Sequence, residues 1–273
     1  MNESVLGFYD RMASEYHLMF GDWRSEVRAQ GATLDRLLRV DEQPLRVLDC
    51  ACGIGTQAIG LALQGHRVHA TDLSPAAVAR ARSEAEAFGA TLTFGVAAFQ
   101  SLSREVPAHF DVVVCCDNAI AHVIDDSDLV HALNEMRSRL VPGGRLVVSI
   151  RDYDRLLEPQ GSPVDPGLPG MGSAAASALP GGTMPRVFDG EGGRRIAFQV
   201  WDWTEDRRSY AVNQFFVKSG AEGYTTSHYV SRFRALRRAE LTSALRQAGF
   251  LRTEWRMPAE SGFYQPLVIA SRD

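Results

Sequence analysis

One short segment of this 273-residue chain constrains its fold more than any other. Residues 47–56 run from an apolar strand that ends at Asp49, through a turn of small residues with Gly53 and Gly55, into a helix. Small residues at such a turn let a ligand approach the backbone closely. A second acid, Asp72, ends the next predicted strand 23 residues later, where a Rossmann-like fold places a carboxylate that binds ribose hydroxyls. The spacing therefore predicts a nucleoside site.

The chain around this segment alternates between predicted strands and predicted helices. One helix runs from Thr56 to Gln64, one starts with Ser74 as its cap and ends at Gly89, and one ends at Pro142. The predicted strands are Arg46–Cys50, Arg67–Asp72, Leu92–Phe99, Phe110–Cys116 and Arg145–Arg151. Repeated strand–helix units favour a parallel sheet covered by helices.

Two further regions flank these units. Residues 1–44 are predicted to be helical, because apolar residues recur at steps of three and four from Val5 to Trp23 and a second helix fits Glu26–Leu38. Residues 158–185 contain six of the 12 prolines, which predicts a long loop. Three strand-like runs then predict an antiparallel insertion: Arg195–Trp203, Ser209–Lys218 and Tyr224–Arg234. A helix over Arg238–Ala248 and strands over Leu251–Met257 and Pro266–Ser271 complete the pattern.

The turn lacks the G-x-G-x-x-G pattern that brings a pyrophosphate to a helix N-terminus, which argues against a nicotinamide-dependent oxidoreductase. Its pattern is D-x-A-x-G-x-G, with Asp49 at the strand end. This resembles motif I of class I S-adenosylmethionine (SAM)-dependent methyltransferases. Phe110–Val114 is similar to the fourth strand of that family, and Leu140–Leu146 to its turn into strand five.

The resemblance implies a Rossmann-like α/β fold. We expect a seven-stranded mixed sheet in the order 3-2-1-4-5-7-6, with strand seven antiparallel and helices on both faces. Residues 45–151 and 236–273 would form this SAM-binding core, with residues 1–44 as a helical cap. Residues 152–235 would be an antiparallel lid and substrate insertion, whose loop 158–185 is expected to be mobile without ligand and to close over the acceptor.

The resemblance also implies a set of cofactor-binding residues. Asp72 would bind the ribose, Phe99 would pack on the adenine, and Ala98 would contact it without a side-chain hydrogen bond. Arg28 falls close to an arginine that holds the SAM carboxylate in glycine N-methyltransferases. The expected set is Tyr16, Trp23, Arg28, Asp49, Ala51, Cys52, Gly53, Gly55, Thr56, Asp72, Leu73, Ala98, Phe99, Cys116, Asp117 and Asn118.

The segment from Cys116 to His122 resembles the N-x-x-x-H that follows strand four in bacterial small-molecule methyltransferases of the glycine N-methyltransferase-like group. It implies that His122, with Tyr16 and Arg151, lines the catalytic site. A neutral amine acceptor needs only weak base assistance, whereas a phenol or an indole carbon needs deprotonation by His122 or by a tyrosine such as Tyr9. We expect methylation of a small molecule, at an amine nitrogen by the resemblance. The alternative is an aromatic carbon or oxygen acceptor in specialised metabolism.

Composition excludes several other classes. With 29 basic and 33 acidic residues the net charge is −4, so no basic field favours nucleic acid. No apolar run reaches the ~20 residues of a membrane span. The four cysteines lack metal-ligand spacing, so we expect no metal and a reducing cytoplasmic location. We expect a small-molecule acceptor as partner, and the sequence is compatible with a homodimer. A non-catalytic binding module is disfavoured because motif I and Asp72 are intact.

Overall fold

The main sheet begins at Arg46 and is completed by the last strand, which ends at Ser271. The computed structural model describes residues 4–158, 178–179, 181–190 and 193–273. The described strands are β1 (Arg46–Asp49), β2 (Arg67–Asp72), β3 (Thr93–Val96), β4 (Phe110–Cys115), β5 (Leu140–Ser149), β6 (Ala178–Leu179), β7 (Gly182–Thr183), β8 (Arg186–Gly190), β9 (Gly193–Trp203), β10 (Ser209–Gly220), β11 (Gly223–Arg234), β12 (Arg252–Arg256) and β13 (Leu267–Ser271).

The described helices surround this sheet and follow its strands along the chain. They are α1 (Val5–Met12), α2 (Trp23–Leu38), α3 (Thr56–Leu63), α4 (Pro75–Phe88), α5 (Leu102–Glu105), α6 (Asp126–Ser138), α7 (Tyr153–Leu156), α8 (Arg238–Gln247) and α9 (Pro258–Ser261). Two 3-10 helices lie at Tyr16–Met19 and Ala119–His122.

The main sheet has seven strands in the order β12-β13-β5-β4-β1-β2-β3. Only β13 runs antiparallel to its neighbours, since it pairs antiparallel with both β5 and β12, and the other pairs are parallel. Read from the opposite edge, this is the predicted order 3-2-1-4-5-7-6, which the structure confirms. The central strands are apolar runs such as Val112–Val114, because helices cover both faces.

Two hydrophobic clusters sit on the two faces of this sheet. On one face, α6 and α8 contribute Leu133, Met136 and Leu245. On the other face, α2 and α3 contribute residues such as Leu34 and Leu61. The prediction of helices on both faces is therefore confirmed, and the sheet is held between two apolar layers.

Several predicted boundaries differ from the structure for identifiable reasons. The N-terminal apolar stripe is broken into α1, the 3-10 helix and α2, which begins at Trp23 rather than Glu26 because Asp22 caps it. The strand predicted over Leu92–Phe99 is wrong at its end: β3 stops at Val96 and the chain then turns, with the amide of Ala97 donating to the carbonyl of Asp72. That turn brings the residues after β3 to the carboxyl edge of the sheet.

The antiparallel insertion is confirmed as a second sheet in the order β11-β10-β9-β7-β6, with β8 also paired to β9. Its inner face packs on α1, where Phe8 and Met12 contact Phe216 and Tyr229. The predicted closing loop 158–185 falls largely on residues 159–177, which lie outside the described residues. Its role as a lid therefore stays a prediction.

Candidate functional site

A cavity opens at the carboxyl edge of the main sheet, between the strand ends and the N-terminal segment. It holds about 750 Å³ of space not filled by atoms, part of it continuous with solvent. Its lining residues are Val5, Tyr9, Tyr16, Cys50, Ala51, Cys52, Gly53, Ile54, Thr56, Asp72, Leu73, Ala98, Phe99, Gln100, Cys116, Asp117, Ala119 and His122.

Asp72 ends β2 and links the glycine turn to the next helix. Its carboxylate accepts from the amide of Gly53 at 2.8 Å and from the amide of Ser74 at 2.9 Å. Burial raises the pKa of this group, while the bonds from Ser74 and Gly53 lower it in part. A carboxylate has about four lone-pair sites, so Asp72 can still accept from a ligand hydroxyl.

Asp49 ends β1 directly beneath the turn and is 1% exposed. One oxygen accepts from the amide of Ala51 at 3.3 Å, whereas Oδ2 is buried without a partner among the described residues. Burial raises the pKa of Asp49 to about 8, and the charges of Asp117 and Asp72 add to that rise. The arrangement leaves a buried acceptor for a donor or cation that the protein does not supply.

The turn itself is shaped for close contact with a ligand. Gly53 has a φ of +51° and nothing lies within 4 Å of where a Cβ would stand. Gly55 has a φ of +97°, and a Cβ there would meet Ile59 at 2.7 Å. The first glycine therefore keeps the cavity side open, and the second lets α3 begin close against the turn. Below it, the indole of Trp23 donates to the Thr56 hydroxyl at 3.0 Å.

The chain after β4 adopts the left-handed conformation at two successive residues, Asp117 (φ +57°) and Asn118 (φ +65°). Such backbone is unfavourable for residues other than glycine and persists only when the surroundings hold it. The Asp117 amide donates to Ser149, and its carboxylate accepts from the Tyr264 hydroxyl. Burial raises the pKa of Asp117, opposed by its hydrogen bonds from Tyr264 and Gln57.

Asn118 fixes the end of β5 beside this turn. Its side chain donates to the Tyr153 hydroxyl at 2.8 Å and accepts from the amide of Arg151 at 3.0 Å. The Arg151 guanidinium donates to the Tyr210 hydroxyl at 2.8 Å and to Gln199 at 3.2 Å. Both partners lie on the second sheet, so Asn118 joins the two sheets through Arg151.

Arg151 lies in an aromatic pocket formed by the second sheet. Its guanidinium carbon is 4.9 Å from the centre of the Trp201 ring and 5.6 Å from that of Phe233, distances at which rings attract a cation. Burial lowers the pKa of Arg151, but Tyr210 and Tyr153 more than offset it, so the net direction is upward. Arg151 therefore keeps its charge within an apolar wall.

Tyr9 and His122 close the cavity on the side of α1. The Tyr9 hydroxyl lies 2.9 Å from Nε2 of His122, and Nδ1 of the same ring lies 3.0 Å from the main-chain oxygen of Arg232. Burial lowers the pKa of His122 to about 4, the bond to Arg232 raises it in part, and the charge of Arg151 lowers it further. Burial raises the pKa of Tyr9, as do Asp72 and Asp117.

The structure brings most of the predicted site residues together around this cavity. The predicted residues that line it are Tyr16, Ala51, Cys52, Gly53, Thr56, Asp72, Leu73, Ala98, Phe99, Cys116, Asp117 and His122. Asp49, Gly55 and Asn118 lie beneath or beside the lining and shape it through their bonds and backbone.

Three predicted residues lie elsewhere. Trp23 packs below the turn in a buried cluster with Phe20 and Ile59 and reaches the site only through Thr56. Arg28 is on the outer face of α2, with its guanidinium over Phe88 at 5.3 Å, so the structure does not bring it to the cavity. Arg151 is set back from the lining, in the wall formed with the second sheet.

Some residues in the wall of the cavity were not predicted from the sequence. Val5, Ile54, Gln100 and Ala119 also line the cavity, and no polar pattern marks them. Behind the wall, Gln57 is buried and donates to Gln30 at 2.8 Å, in addition to its bond to Asp117. In the sequence, Gln57 and Gln30 stand out as polar residues on helix faces that are otherwise apolar, and this pattern could have indicated the polar group behind the wall.

The cysteines and possible metal ligands add no chemistry of their own. Burial raises the pKa of Cys50, Cys52 and Cys116, so these thiols stay protonated and unreactive. All four cysteines are free and buried. Within the described ranges, no group of three or more His, Cys, Asp or Glu side chains could hold a metal ion. No described helix is long and apolar enough to cross a membrane.

Part of this chain is similar in sequence to known methyltransferases. Residues 47–144 match the family model of a methyltransferase domain. The chain is 36% identical over 137 residues to a glycine/sarcosine N-methyltransferase of Parasynechococcus marenigrum, covering 50% of this chain and 48% of that protein. It is 38% identical over 111 residues to a ubiquinone biosynthesis O-methyltransferase of Xylella fastidiosa, covering 41% and 44%. The chain thus spans about half or less of the length of the curated relatives it matches.

Solved structures share the fold over nearly the whole chain. The SAM-bound structure of CalS10, an amino pentose methyltransferase of Micromonospora echinaspora, superposes with a TM-score of 0.69 at 18% identity. The match covers 92% of this chain and 94% of that one. At this identity the similarity concerns the fold, which includes both the main sheet and the second sheet.

Proposed function

We propose, from the match of residues 47–144 to a methyltransferase domain and from the geometry of the site, that this chain is a class I, SAM-dependent methyltransferase that transfers the methyl group of SAM to the amine nitrogen of a small molecule. The observation that supports it best is the pair of acids at the turn. Asp72 has lone-pair capacity beyond its bonds from Gly53 and Ser74, and Asp49 has a buried oxygen without a partner among the described residues.

The residues present fit SAM. Asp72 would take the ribose hydroxyls, and Phe99 with Ala98 would flank the adenine. The open side of Gly53 and the buried Oδ2 of Asp49 would receive the amino acid end, whose ammonium supplies the missing donor. SAM supplies an activated methyl group on a sulfonium, which already carries a good leaving group.

The chain's own task in the reaction is alignment. The wall from Ala119 to His122 and the N-terminal tyrosines Tyr9 and Tyr16 close the cavity against water. Arg151, set back behind this wall among the aromatic rings of the second sheet, adds a fixed positive charge beside the site. Holding acceptor and methyl group in line converts the transfer into an effectively unimolecular step.

Support for an amine acceptor comes from the named relatives. A glycine/sarcosine N-methyltransferase and an amino pentose methyltransferase both act on amines by their names. The alternative is O- or C-methylation of a phenol or indole, for which the ubiquinone O-methyltransferase is a precedent.

We infer a small-molecule partner and a reducing cytoplasmic location. The four buried free cysteines support the location, because an oxidising compartment favours disulfides. The sequence is compatible with a homodimer, and light scattering would test this assembly by the mass of the protein in solution.

Isothermal titration with SAM, S-adenosylhomocysteine and NADH tests the cofactor. We expect SAM and its product to bind and NADH not to bind. The variant Asp72→Asn should weaken SAM binding by roughly 10-fold, because one charge-assisted acceptor is lost, whereas Glu222→Gln, an exposed site in the β10–β11 turn, should not. Binding of NADH alone would overturn the proposal.

Methyl transfer from isotope-labelled SAM to panels of amino acids, amino sugars, phenols and indoles tests the acceptor. Label in the amine panel supports nitrogen methylation. Label only in the phenol or indole panel would replace it with the alternative.

A further inference from the structure

Tyr9 and His122 form a hydrogen-bonded pair whose polarity is set by the protein. The Arg232 carbonyl, 3.0 Å from Nδ1, only accepts, so Nδ1 carries the ring proton. The Nε2 atom of that tautomer only accepts, so the Tyr9 hydroxyl, 2.9 Å away, donates its proton to it. Tyr9 is one of the residues that line the cavity, and its oxygen, with its proton given to His122, has only lone pairs left for a ligand.

The surroundings of His122 disfavour a second proton on its ring. Its partners among the described residues are Tyr9, the Arg232 carbonyl and, at 3.5 Å, the Ser231 hydroxyl, none of which carries a negative charge. The Phe233 ring lies 4.0 Å away, and the Arg151 guanidinium lies over the same ring at 5.6 Å. A cation close by and no carboxylate partner both oppose an imidazolium.

The surroundings of Tyr9 disfavour loss of its own proton. Asp72 and Asp117 act on it from the ends of β2 and β4, and both would repel a phenolate. The charge of Arg151 lowers the pKa of Tyr9, but its guanidinium is already hydrogen-bonded to Tyr210 and Gln199. At neutral pH the favoured arrangement of the pair therefore has one proton on Nδ1 of His122 and one on the Tyr9 oxygen.

We propose that Tyr9 is a fixed hydrogen-bond acceptor in the methyl-transfer site, that His122 is the positioning residue that holds it in this orientation, and that the pair takes no proton from the acceptor. This rests on the proposed function and restricts its substrate. The acceptor group presents an N–H or O–H to the Tyr9 oxygen and attacks in its neutral form, which an amine reaches in water before binding.

The step balances without an enzymic base. The amine lone pair forms the new C–N bond while the C–S bond breaks and its electron pair returns to sulfur. The surplus proton stays on the product nitrogen and passes to water after release. A phenol would need a base before or during attack, and the pair does not supply one.

Nitrogen-15 NMR of protein labelled at its histidines reads this arrangement directly, with no ligand present. We expect the His122 signals to show a protonated Nδ1 and an unprotonated Nε2, unchanged between pH 5.5 and 8.5. A proton on Nε2, or a titration within that range, would overturn the proposal. His122→Gln assigns the signals by their loss. Should that variant not fold, Tyr9→Phe assigns them, because it removes the donor to Nε2 and shifts that nitrogen alone.

The pH dependence of turnover gives a second readout. With two amine substrates of different pKa, the acid limb of kcat/KM should move with the amine pKa. An acid limb that is the same for both amines and absent in His122→Gln would identify His122 as a base and sink the proposal. If SAM binds but no amine is methylated, the proposed acceptor fails, whereas the tautomer measurement still decides the role of the pair.

Discussion

Three carboxylates lie at one cavity, Asp72 and Asp117 in its lining and Asp49 beneath it, and none is paired with a cationic side chain among the described residues. Burial raises the pKa of each. The cost of burying negative charge is thus left partly uncompensated in the free protein. A ligand with a sulfonium and an ammonium group would offset that cost, which is the physical reason why this cavity favours SAM.

Asp49 makes the stability of the ligand-free protein depend on pH. Its pKa is about 8 in the folded protein against an ordinary 3.8. The contribution of Asp49 to the free energy of unfolding is therefore fully present below pH 3.8 and is lost as the pH rises to 8. Asp49→Asn imitates the protonated form. Relative to wild type, we expect this variant to gain stability between pH 4 and 8.5, by at most about 6 kcal/mol.

Urea unfolding of the two proteins across this pH range measures the difference. Glu222→Gln, at an exposed turn, is the control and should show no such trend. A constant difference between Asp49→Asn and wild type would mean that Asp49 is ionised in the folded protein.

The left-handed backbone at Asn118 can be separated from its hydrogen bonds. Both Asn118→Ala and Asn118→Gly lose the bonds to Tyr153 and Arg151, but only alanine must hold a Cβ at φ +65°. We expect both variants to be destabilised, with alanine worse by about 1 kcal/mol. Thermal and urea unfolding compare them, and equal stability would show that the turn relaxes when its side chain is removed.

At the level of elements, the crossing of α2 and α3 sets the position of the turn. Gly31 and Gly60 lie back to back, and a Cβ on Gly31 would meet the Gly60 backbone at 2.3 Å. The two helices can approach this closely only because both residues lack side chains. The contact places the start of α3, and with it Thr56 and the glycine turn, at the sheet edge.

Gly31→Ala should therefore destabilise the protein by about 2 kcal/mol or more, although alanine favours an isolated helix over glycine by about 1 kcal/mol. Gly190→Ala, where none of the described residues lies within 4 Å of the new Cβ, serves as the control. Chemical unfolding measures both. A neutral Gly31→Ala variant would imply that α2 can slide away from α3 without loss.

For the whole molecule, the site depends on three parts that are distant in sequence. The main sheet provides the strand ends, α1 provides Tyr9, and the second sheet provides the Arg232 carbonyl. Asp10 ties α1 to α4 by accepting from Ser74 and Ala76. Glu15 ties the N-terminal segment to the second sheet through Lys218 and Tyr229.

Hydrogen exchange should reveal this dependence. Addition of SAM is expected to slow amide exchange in residues 5–19, because Val5, Tyr9 and Tyr16 line the cavity, while α8, away from the lining, keeps its rate. In Asp72→Asn at the same SAM concentration the effect should be smaller, as binding is weaker. Equal slowing in both segments would point to a general stabilisation rather than to contact.

Much of the core was predictable because its signals are local. The D-x-A-x-G-x-G turn, the acid at Asp72 and the strand–helix alternation each follow from backbone geometry within a few residues. These local patterns predicted the antiparallel insertion. Through the family resemblance they also predicted the sheet order and most of the cavity lining. It also located Asp49, although not the unpartnered oxygen beneath the turn.

The tertiary structure decided what depends on contacts across the chain. The rotation of α2 on α3 decides whether Arg28 faces the cavity or Phe88. It also decides whether Trp23 lines the cavity or packs beneath it. The spacing of residues in the sequence does not determine this rotation. The tautomer of His122 depends on a main-chain carbonyl 110 residues away on β11. Side-chain identity determined which groups could act here; only the packing of three separate segments determined their orientation, their burial and therefore their charge.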